Sequence, residues 1–276
     1  MADLLFGTAG IPISTWPQST TKGINRVAEL GLDCMELEFV QGVYLEKEDA
    51  IEVAEMANKT GIRLSAHAPY FLNFNAHEPK KIRASQGILF KAAYIASICG
   101  AESIIFHAGF YLGDPPQEAY NTIKNYLFEV ITKMKEQDIQ LLLRPEVSGK
   151  SSQFGSLEEI LQLCSELEGT APCIDFAHLH ARSGRFNSYP EFFSILEQVR
   201  GKLGDKALKN MHLHISGIEF GTKGERKHLE LQESDLQYGE LLRALKEHNI
   251  SGMIICESPN QEEDALLLKT GFHTLS

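Results

Sequence analysis

Short apolar runs alternate with longer stretches of helical spacing along the whole chain, and this rhythm restricts the fold more than any other feature. The runs fall at 4–6, 34–40, 62–67, 103–107, 139–143, 173–176, 211–215 and 253–256. Runs of this length, bounded by turn residues, suit buried strands. Helical patterns are expected between them, at 20–30, 47–59, 80–99, 116–137, 156–167, 189–202 and 235–247, with a last short helix at 262–269. Punctuation agrees with these limits. Gly31, Gly61 and Gly100 close helices, Pro79 opens one, and Ser156-Leu157-Glu158-Glu159 reads as a capping box. Regular strand-helix alternation implies a parallel sheet covered by helices. Eight such units in 276 residues is the count of a (β/α)8 TIM barrel, read here as a single domain over 1–276. A doubly wound open sheet is the rival. It commonly carries a glycine fingerprint after its first strand, and Gly7-Thr8-Ala9-Gly10 is not G-x-G-x-x-G.

Charge and cysteine usage narrow the function classes. A formal net charge of −11 counts against broad non-specific binding of nucleic acid, although bound metal cations would add positive charge that this sum omits. No apolar run approaches the roughly 20 residues that span a bilayer. The first residues lack the basic segment and long apolar stretch of a signal peptide. The five cysteines are odd in number and form no C-x-x-C, so they are expected to be reduced thiols of a cytoplasmic protein. No obligate protein partner is evident in the sequence.

The ends of the strands carry the chemistry. His67, His107, Glu146, Asp175 with His178, His212 and Glu257 each sit in or just after an apolar run. In a barrel these are the C-terminal strand ends, where the catalytic face forms. Buried carboxylates without partners cost several kcal/mol each, roughly. Six strands ending this way therefore point to a shared metal site, and histidine with carboxylate is the donor set of zinc or manganese. His180 and His214 follow His178 and His212 by two residues and read as supporting or loop residues. His77, His248 and His273 read as solvated. In the loop after the third strand, Tyr70 and Phe71 form either a plug over the barrel mouth or a stacking wedge for a base or sugar.

These residues resemble the endonuclease IV family of apurinic/apyrimidinic endonucleases, within the xylose isomerase-like barrels. The resemblance rests on His67-Ala68-Pro69-Tyr70-Phe71-Leu72-Asn73, Phe106-His107-Ala108-Gly109, Glu146, Ile174-Asp175-x-x-His178, His212-Leu213 and Cys256-Glu257-Ser258-Pro259. It implies a cluster of two or three Zn2+ ions, with Mn2+ as the alternative. Glu146 would bridge two ions, His67 and His107 would complete the first, and Asp175, His212 and Glu257 the second. His178 and His228 would hold the third. The reaction implied is hydrolysis of the phosphodiester 5′ to an abasic site in DNA, with Glu146 and Glu257 as the catalytic carboxylates. Tyr70 and Phe71 match the positions that enter the duplex.

Three departures stand out. The family's third-ion motif is Asp-x-His, whereas this chain reads Arg226-Lys227-His228. A guanidinium cannot ligate zinc, so Glu225 substitutes by a one-residue shift or the third ion is absent. Arg144-Pro145 precede Glu146 where apolar residues are usual, and Gln41-Gly42-Val43-Tyr44-Leu45 lacks the basic residues that grip DNA. The competing expectation is a sugar or sugar-phosphate isomerase or epimerase of the same superfamily. It would hold one divalent ion on Glu146, Asp175, His212 and Glu257, with Arg226 on the phosphate of a small phosphosugar.

Overall fold

The computed structural model describes residues 3–275. In chain order its strands are β1 (Leu4–Ala9), β2 (Cys34–Glu38), β3 (Arg63–His67), β4 (Ser103–Phe106), β5 (Leu142–Pro145), β6 (Cys173–Asp175), β7 (Met211–Ile215), β8 (Gly217–Gly221), β9 (Gly224–Leu229) and β10 (Gly252–Cys256). The helices are α1 (Thr20–Glu29), α2 (Lys47–Thr60), α3 (Pro79–Ile98), α4 (Pro116–Glu136), α5 (Leu157–Glu166), α6 (Phe176–Ser183), α7 (Tyr189–Leu203), α8 (Tyr238–Glu247) and α9 (Glu262–Thr274). Eight strands form one parallel sheet in the order β5-β4-β3-β2-β1-β10-β7-β6. Isolated parallel bridges, Leu143 to Thr170 and Glu146 to Cys173, join its two ends. The architecture is therefore a nearly closed (β/α)8 barrel, as the alternation of runs predicts. No helix among the described residues is long and apolar enough to cross a membrane.

Two apolar regions hold this barrel. The larger lies between sheet and helices and includes Phe6, Leu37, Leu64, Phe106, Ile174 and Leu213. A much smaller one, Cys34, Met253 and Ile255 with Leu5 and Ala9 against it, lies on the alternate face of the same strands, inside the barrel. Apart from Ile105 and Cys173, much of the rest of that interior is polar. Glu36, Ser65, Arg144, His212 and His214 are all buried. A hydrophobic barrel core normally supplies this packing, so polar pairing carries part of its role here.

Arg144 shows how. On β5 it points inward two residues before Glu146, and it donates to the Pro172 carbonyl and to the Asn210 carbonyl and side-chain oxygen, at 3.0 Å each. Those acceptors precede β6 and β7. The guanidinium thus ties β5 across the seam where only two ladder bridges close the sheet.

Several elements differ from the sequence expectation. The fifth strand starts at Leu142 and runs through Arg144 to Pro145, beyond the expected 139–143. The chain also carries more than eight units: helix α6 follows β6 immediately, and the antiparallel β8–β9 hairpin is inserted after β7. Much of the hairpin is charged or polar, so it lacks the apolar signature used to find strands.

Replacing Arg144 by methionine keeps its aliphatic volume but removes the donor from the buried Pro172 carbonyl and from the two oxygens of the exposed Asn210. The expected loss is about 3 kcal/mol of unfolding free energy, read from urea denaturation; an unchanged midpoint would deny Arg144 its role at the seam.

Candidate metal centre

Strand register delivers the donors to one place. His67 is the last residue of β3, while His107, Glu146 and Glu257 each follow the final residue of β4, β5 and β10. Asp175 ends β6 and caps α6, accepting the His178 backbone N–H through Oδ1 at 2.7 Å. That cap fixes His178 in the first turn, facing inward, and leaves Asp175 Oδ2 buried with no hydrogen-bond partner.

Glu146 is the centre. One oxygen lies 3.1 Å from His67 Nε2 and 3.2 Å from His107 Nε2. The other lies 3.1 Å from His214 Nδ1 and 3.3 Å from His178 Nδ1. Two donors bound to one tetrahedral zinc at about 2.05 Å stand about 3.3 Å apart, so the separations from His67, His107 and His214 match shared coordination, while His178 turns Nδ1 to a carbonyl and has Nε2 to offer an ion. Four groups of donor atoms among the described residues cluster closely enough for an ion: His67, His107 and Glu146; Glu146, Asp175, His214 and Glu257; His178, Glu225 and His228; and, deeper in the barrel, Cys173, His212 and His214. Glu257 Oε2 and Asp175 Oδ2 are buried without a hydrogen-bond partner among the described residues, each facing an imidazole, His228 at 3.7 Å and His178 at 3.2 Å. The donor set therefore fits divalent cations, and bound ions would be shared through Glu146.

Ring orientation is set from behind. His67 Nδ1 faces the Ala68 carbonyl at 2.8 Å, leaving Nε2 toward Glu146. His178 Nδ1 faces the Val147 carbonyl at 3.0 Å. His214 is turned the other way, with Nδ1 toward Glu146 and Nε2 at 3.1 Å from Glu36 Oε1. Glu36 also accepts from Ser65 Oγ at 2.7 Å and meets His212 Nε2 at 3.0 Å. A buried carboxylate behind a donor histidine fixes its tautomer and raises its basicity.

His212 is grouped differently from the expectation, with Cys173 and His214 rather than with Asp175 and Glu257. It faces the same interior but stands one step deeper, against Glu36, and His214 takes the place beside Glu146, Asp175 and Glu257. Period two puts both on the inward face of β7, so spacing alone cannot choose between them. Sequence reasoning passes over Glu36; its signal is its position two before Glu38 on an inward face. His180 is buried on α6 with Nδ1 toward the Arg185 carbonyl. His248 is packed on Phe193 and Glu197 rather than solvated.

The β8–β9 hairpin places Glu225, rather than Arg226, beside His228. Ile218 pairs with His228, Glu219 with Lys227 and Phe220 with Glu225, so Arg226 has no partner in the ladder and bulges out. An extra residue in one strand restores the face of the residues around it. Glu225 and His228, three apart, therefore share the face that packs Ile218 and Phe220 on α6. Glu225 Oε2 comes within 3.5 Å of His178 Nε2. Close glycines seat the hairpin. Glu225 N donates to the Gly149 carbonyl at 3.1 Å, and a Cβ on Gly224 would stand 2.2 Å from that oxygen. Arg226 is exposed and pairs with Glu219 at 3.2 Å, so it lies outside the cleft.

The cleft has a volume of about 400 Å³, with Tyr70 and Lys150 on its wall. Phe71, which meets the Tyr70 ring edge-on, is half exposed and is not part of that wall. Electrostatics follow from burial among carboxylates. Burial alone would lower His67, but Glu146, Glu38 and Glu36 raise it to about 10. Burial, with the charges of His67 and His178, takes His107 down to about 4 against the pull of Glu146. Burial would raise Glu146, yet His107, His214 and His178 hold it well below the usual range.

Fold and site together define a barrel enzyme class with a polynuclear-type donor cluster at its C-terminal mouth. Residues 24–274 match the family described as xylose isomerase-like TIM barrel, and the chain belongs to that family. An uncharacterized protein of Methanocaldococcus jannaschii is 44% identical over 99% of this chain and 98% of its own. A protein named probable endonuclease 4 of Mycoplasma pneumoniae is 25% identical over 80% of this chain and 76% of its own. Among solved structures, endonuclease IV from Thermus thermophilus superposes with a TM-score of 0.76 at 16% identity, covering 96% of this chain and 97% of that one. A D-tagatose 3-epimerase-like protein gives 0.73 at 17%, covering 95% and 94%. These two structures share the barrel fold of this chain.

Two measurements test the centre. Glu36→Gln is expected to weaken zinc binding by about 10–100-fold by loosening His214; competition with a chromophoric chelator reads the change, and wild-type affinity in the variant would remove Glu36 from the site. Zinc loading is also expected to release protons. His67 is protonated below about pH 10 in the cation-free protein and must lose that proton to bind, so affinity rises with pH through the neutral range. Calorimetry in two buffers of different ionisation enthalpy measures the release, and identical heats would contradict it.

Proposed function

We propose that this chain is a metal-dependent phosphodiesterase of the endonuclease IV type, a hydrolase acting in DNA repair on the 5′ side of abasic sites. One observation carries this reading: the third donor group, His178, Glu225 and His228, is complete and adjoins the two that share Glu146. A one-ion isomerase has no use for it. The relatives named endonuclease 4 support the same reading. We take the ions to be two or three Zn2+, with Mn2+ as the alternative, and place the protein in the cytoplasm, where its free cysteines stay reduced.

Bound ions would supply a water of lowered pKa and neutralise the phosphate. The chain's own residues do the rest. Glu146 and Glu257 would hold the ions, and Glu257 would accept the proton of the attacking water. Tyr70, 62% exposed at the cleft wall, offers a ring for stacking beside the abasic sugar. Among the described residues Lys150 is the one lysine or arginine on that wall, and its charge is available to the phosphate.

A second reading has its own observation. Glu146, Asp175, His214 and Glu257 form a four-donor group sufficient for one ion, as a sugar or phosphosugar isomerase or epimerase would need.

Incision of a duplex oligonucleotide with one abasic site separates the two. Zinc-loaded protein is expected to cleave on the 5′ side, EDTA to abolish cleavage, and Glu225→Ala to lose one bound ion and about 10²-fold in rate. Arg226→Ala should retain both. No cleavage from protein holding a single ion would favour the isomerase.

A further inference from the structure

Helix α6 ends on a charged side chain that takes no part in the donor cluster. Arg182 stands four residues after His178, so one side of the helix turns both toward the segment after β5. The Arg182 guanidinium gathers three carbonyls of that segment. Nη1 donates to Ser148 at 3.1 Å and to Lys150 at 2.5 Å, and Nη2 donates to Gln153 at 3.1 Å. Arg182 is half-buried and is not among the residues lining the metal cleft. A rigid fork of N–H groups suits several fixed acceptors at once, which a single ammonium does not.

The backbone held in this way carries two parts of the cleft. Lys150 and Gln153 lie on its wall. Gly149, between two of the gathered carbonyls, accepts the Glu225 N–H at 3.1 Å. A Cβ on Gly149 would stand 2.8 Å from Glu225 Cβ and 3.0 Å from His178 Cδ2, so this backbone touches two donors of the third group. The remaining donors have other supports. His67 ends β3, and His107, Glu146 and Glu257 directly follow β4, β5 and β10. Ser148 Oγ, which lies 3.4 Å from His107 Nδ1, is tied separately, because the residue donates through its N–H to Gly155 and through its hydroxyl to Phe154.

We infer that Arg182 is a positioning residue. Through the carbonyls of Ser148, Lys150 and Gln153 it sets where Glu225 and Lys150 stand, and so governs the third ion and the charge on the cleft wall while touching neither ion nor substrate. This rests on reading His178, Glu225 and His228 as an ion site. The effect is selective. Removing the guanidinium frees residues 148–153 and the hairpin end seated on them, while the groups that share Glu146 keep their strand-end support.

Two variants test this. Arg182→Met keeps the aliphatic stem without the donors, and Arg182→Lys keeps the charge without the fork. Zinc is titrated into the full chain against a chromophoric chelator, and hydrogen exchange read by mass spectrometry follows residues 148–153 and 217–229. Arg182→Met is expected to weaken the ion that Glu225→Ala removes by about 10–100-fold. The other ions should keep wild-type affinity, and exchange in both segments should quicken roughly tenfold. Arg182→Lys should fall between the two. Arg185→Met, at an exposed arginine just beyond the same helix, should change neither readout. The urea midpoint reports folding, and if Arg182→Met does not fold then Arg182→Lys decides. Equal weakening of every ion, or unchanged affinity and exchange in a folded variant, overturns the role. If the wild-type chain binds fewer than three ions, the third-ion reading fails by itself, and hydrogen exchange alone then decides whether Arg182 places Glu225.

Discussion

A carboxylate buried at the barrel axis governs the rest of the molecule. Glu146 places both oxygens about 3.1–3.3 Å from four imidazoles carried on β3, β7, α6 and the end of β4. Such a group would be costly in a low-dielectric interior without cations around it. Everything near it serves that need. Asp175 caps α6 to present His178, Glu36 backs His214, and carbonyls at Ala68 and Val147 orient the other rings. The packing role of an apolar barrel core passes to this network and to Arg144 beneath it.

The hairpin shows how a local irregularity can preserve a site. Alternation in a strand brings residues two apart to one face, and Glu225 and His228 are three apart. The bulge at Arg226 absorbs the odd residue, sends the guanidinium outward to Glu219, and returns both donors to His178. Gly149 and Gly224 let the hairpin backbone approach the loop after β5 at a distance that no side chain would permit. Charge is arranged by the same logic. The charges of Arg226 and Lys227 are held at the hairpin's outer face by Glu219, while the cleft wall keeps only Lys150.

Much of this is legible in the amino-acid sequence. Strand and helix limits follow from apolar period and from the glycines at helix ends, because those signals are local. His67, His107, Glu146, Asp175, His178 and Glu257 are legible because polar residues closing apolar runs are expensive unless they converge. His214 is not, because His212 shares its inward face and only depth along the barrel axis separates them. Arg226 misleads because a bulge leaves no trace in composition. Glu36 is hidden by its neighbour Glu38: a period of two says that both face inward, but not that one backs a histidine while the other faces open space.

The polar interior also links occupancy of the centre to the stability of the barrel. In the cation-free protein, burial opposes the charge on His67, His178 and His214, and the neighbouring carboxylates hold those protons in place. Burial and like charges meanwhile push Glu257 well above the usual carboxylate range. An ion that binds only the folded chain replaces this proton-based compensation and stabilises the fold by mass action, by about 2.7 kcal/mol at a hundredfold excess over its dissociation constant. The donors lie at the ends of β3 and β6 and just past β4, β5 and β10, so the ions would clamp the strands at the mouth while Arg144 clamps the seam below. With so few apolar side chains inside the barrel, the chemistry at the mouth and the integrity of the sheet depend on the same carboxylates.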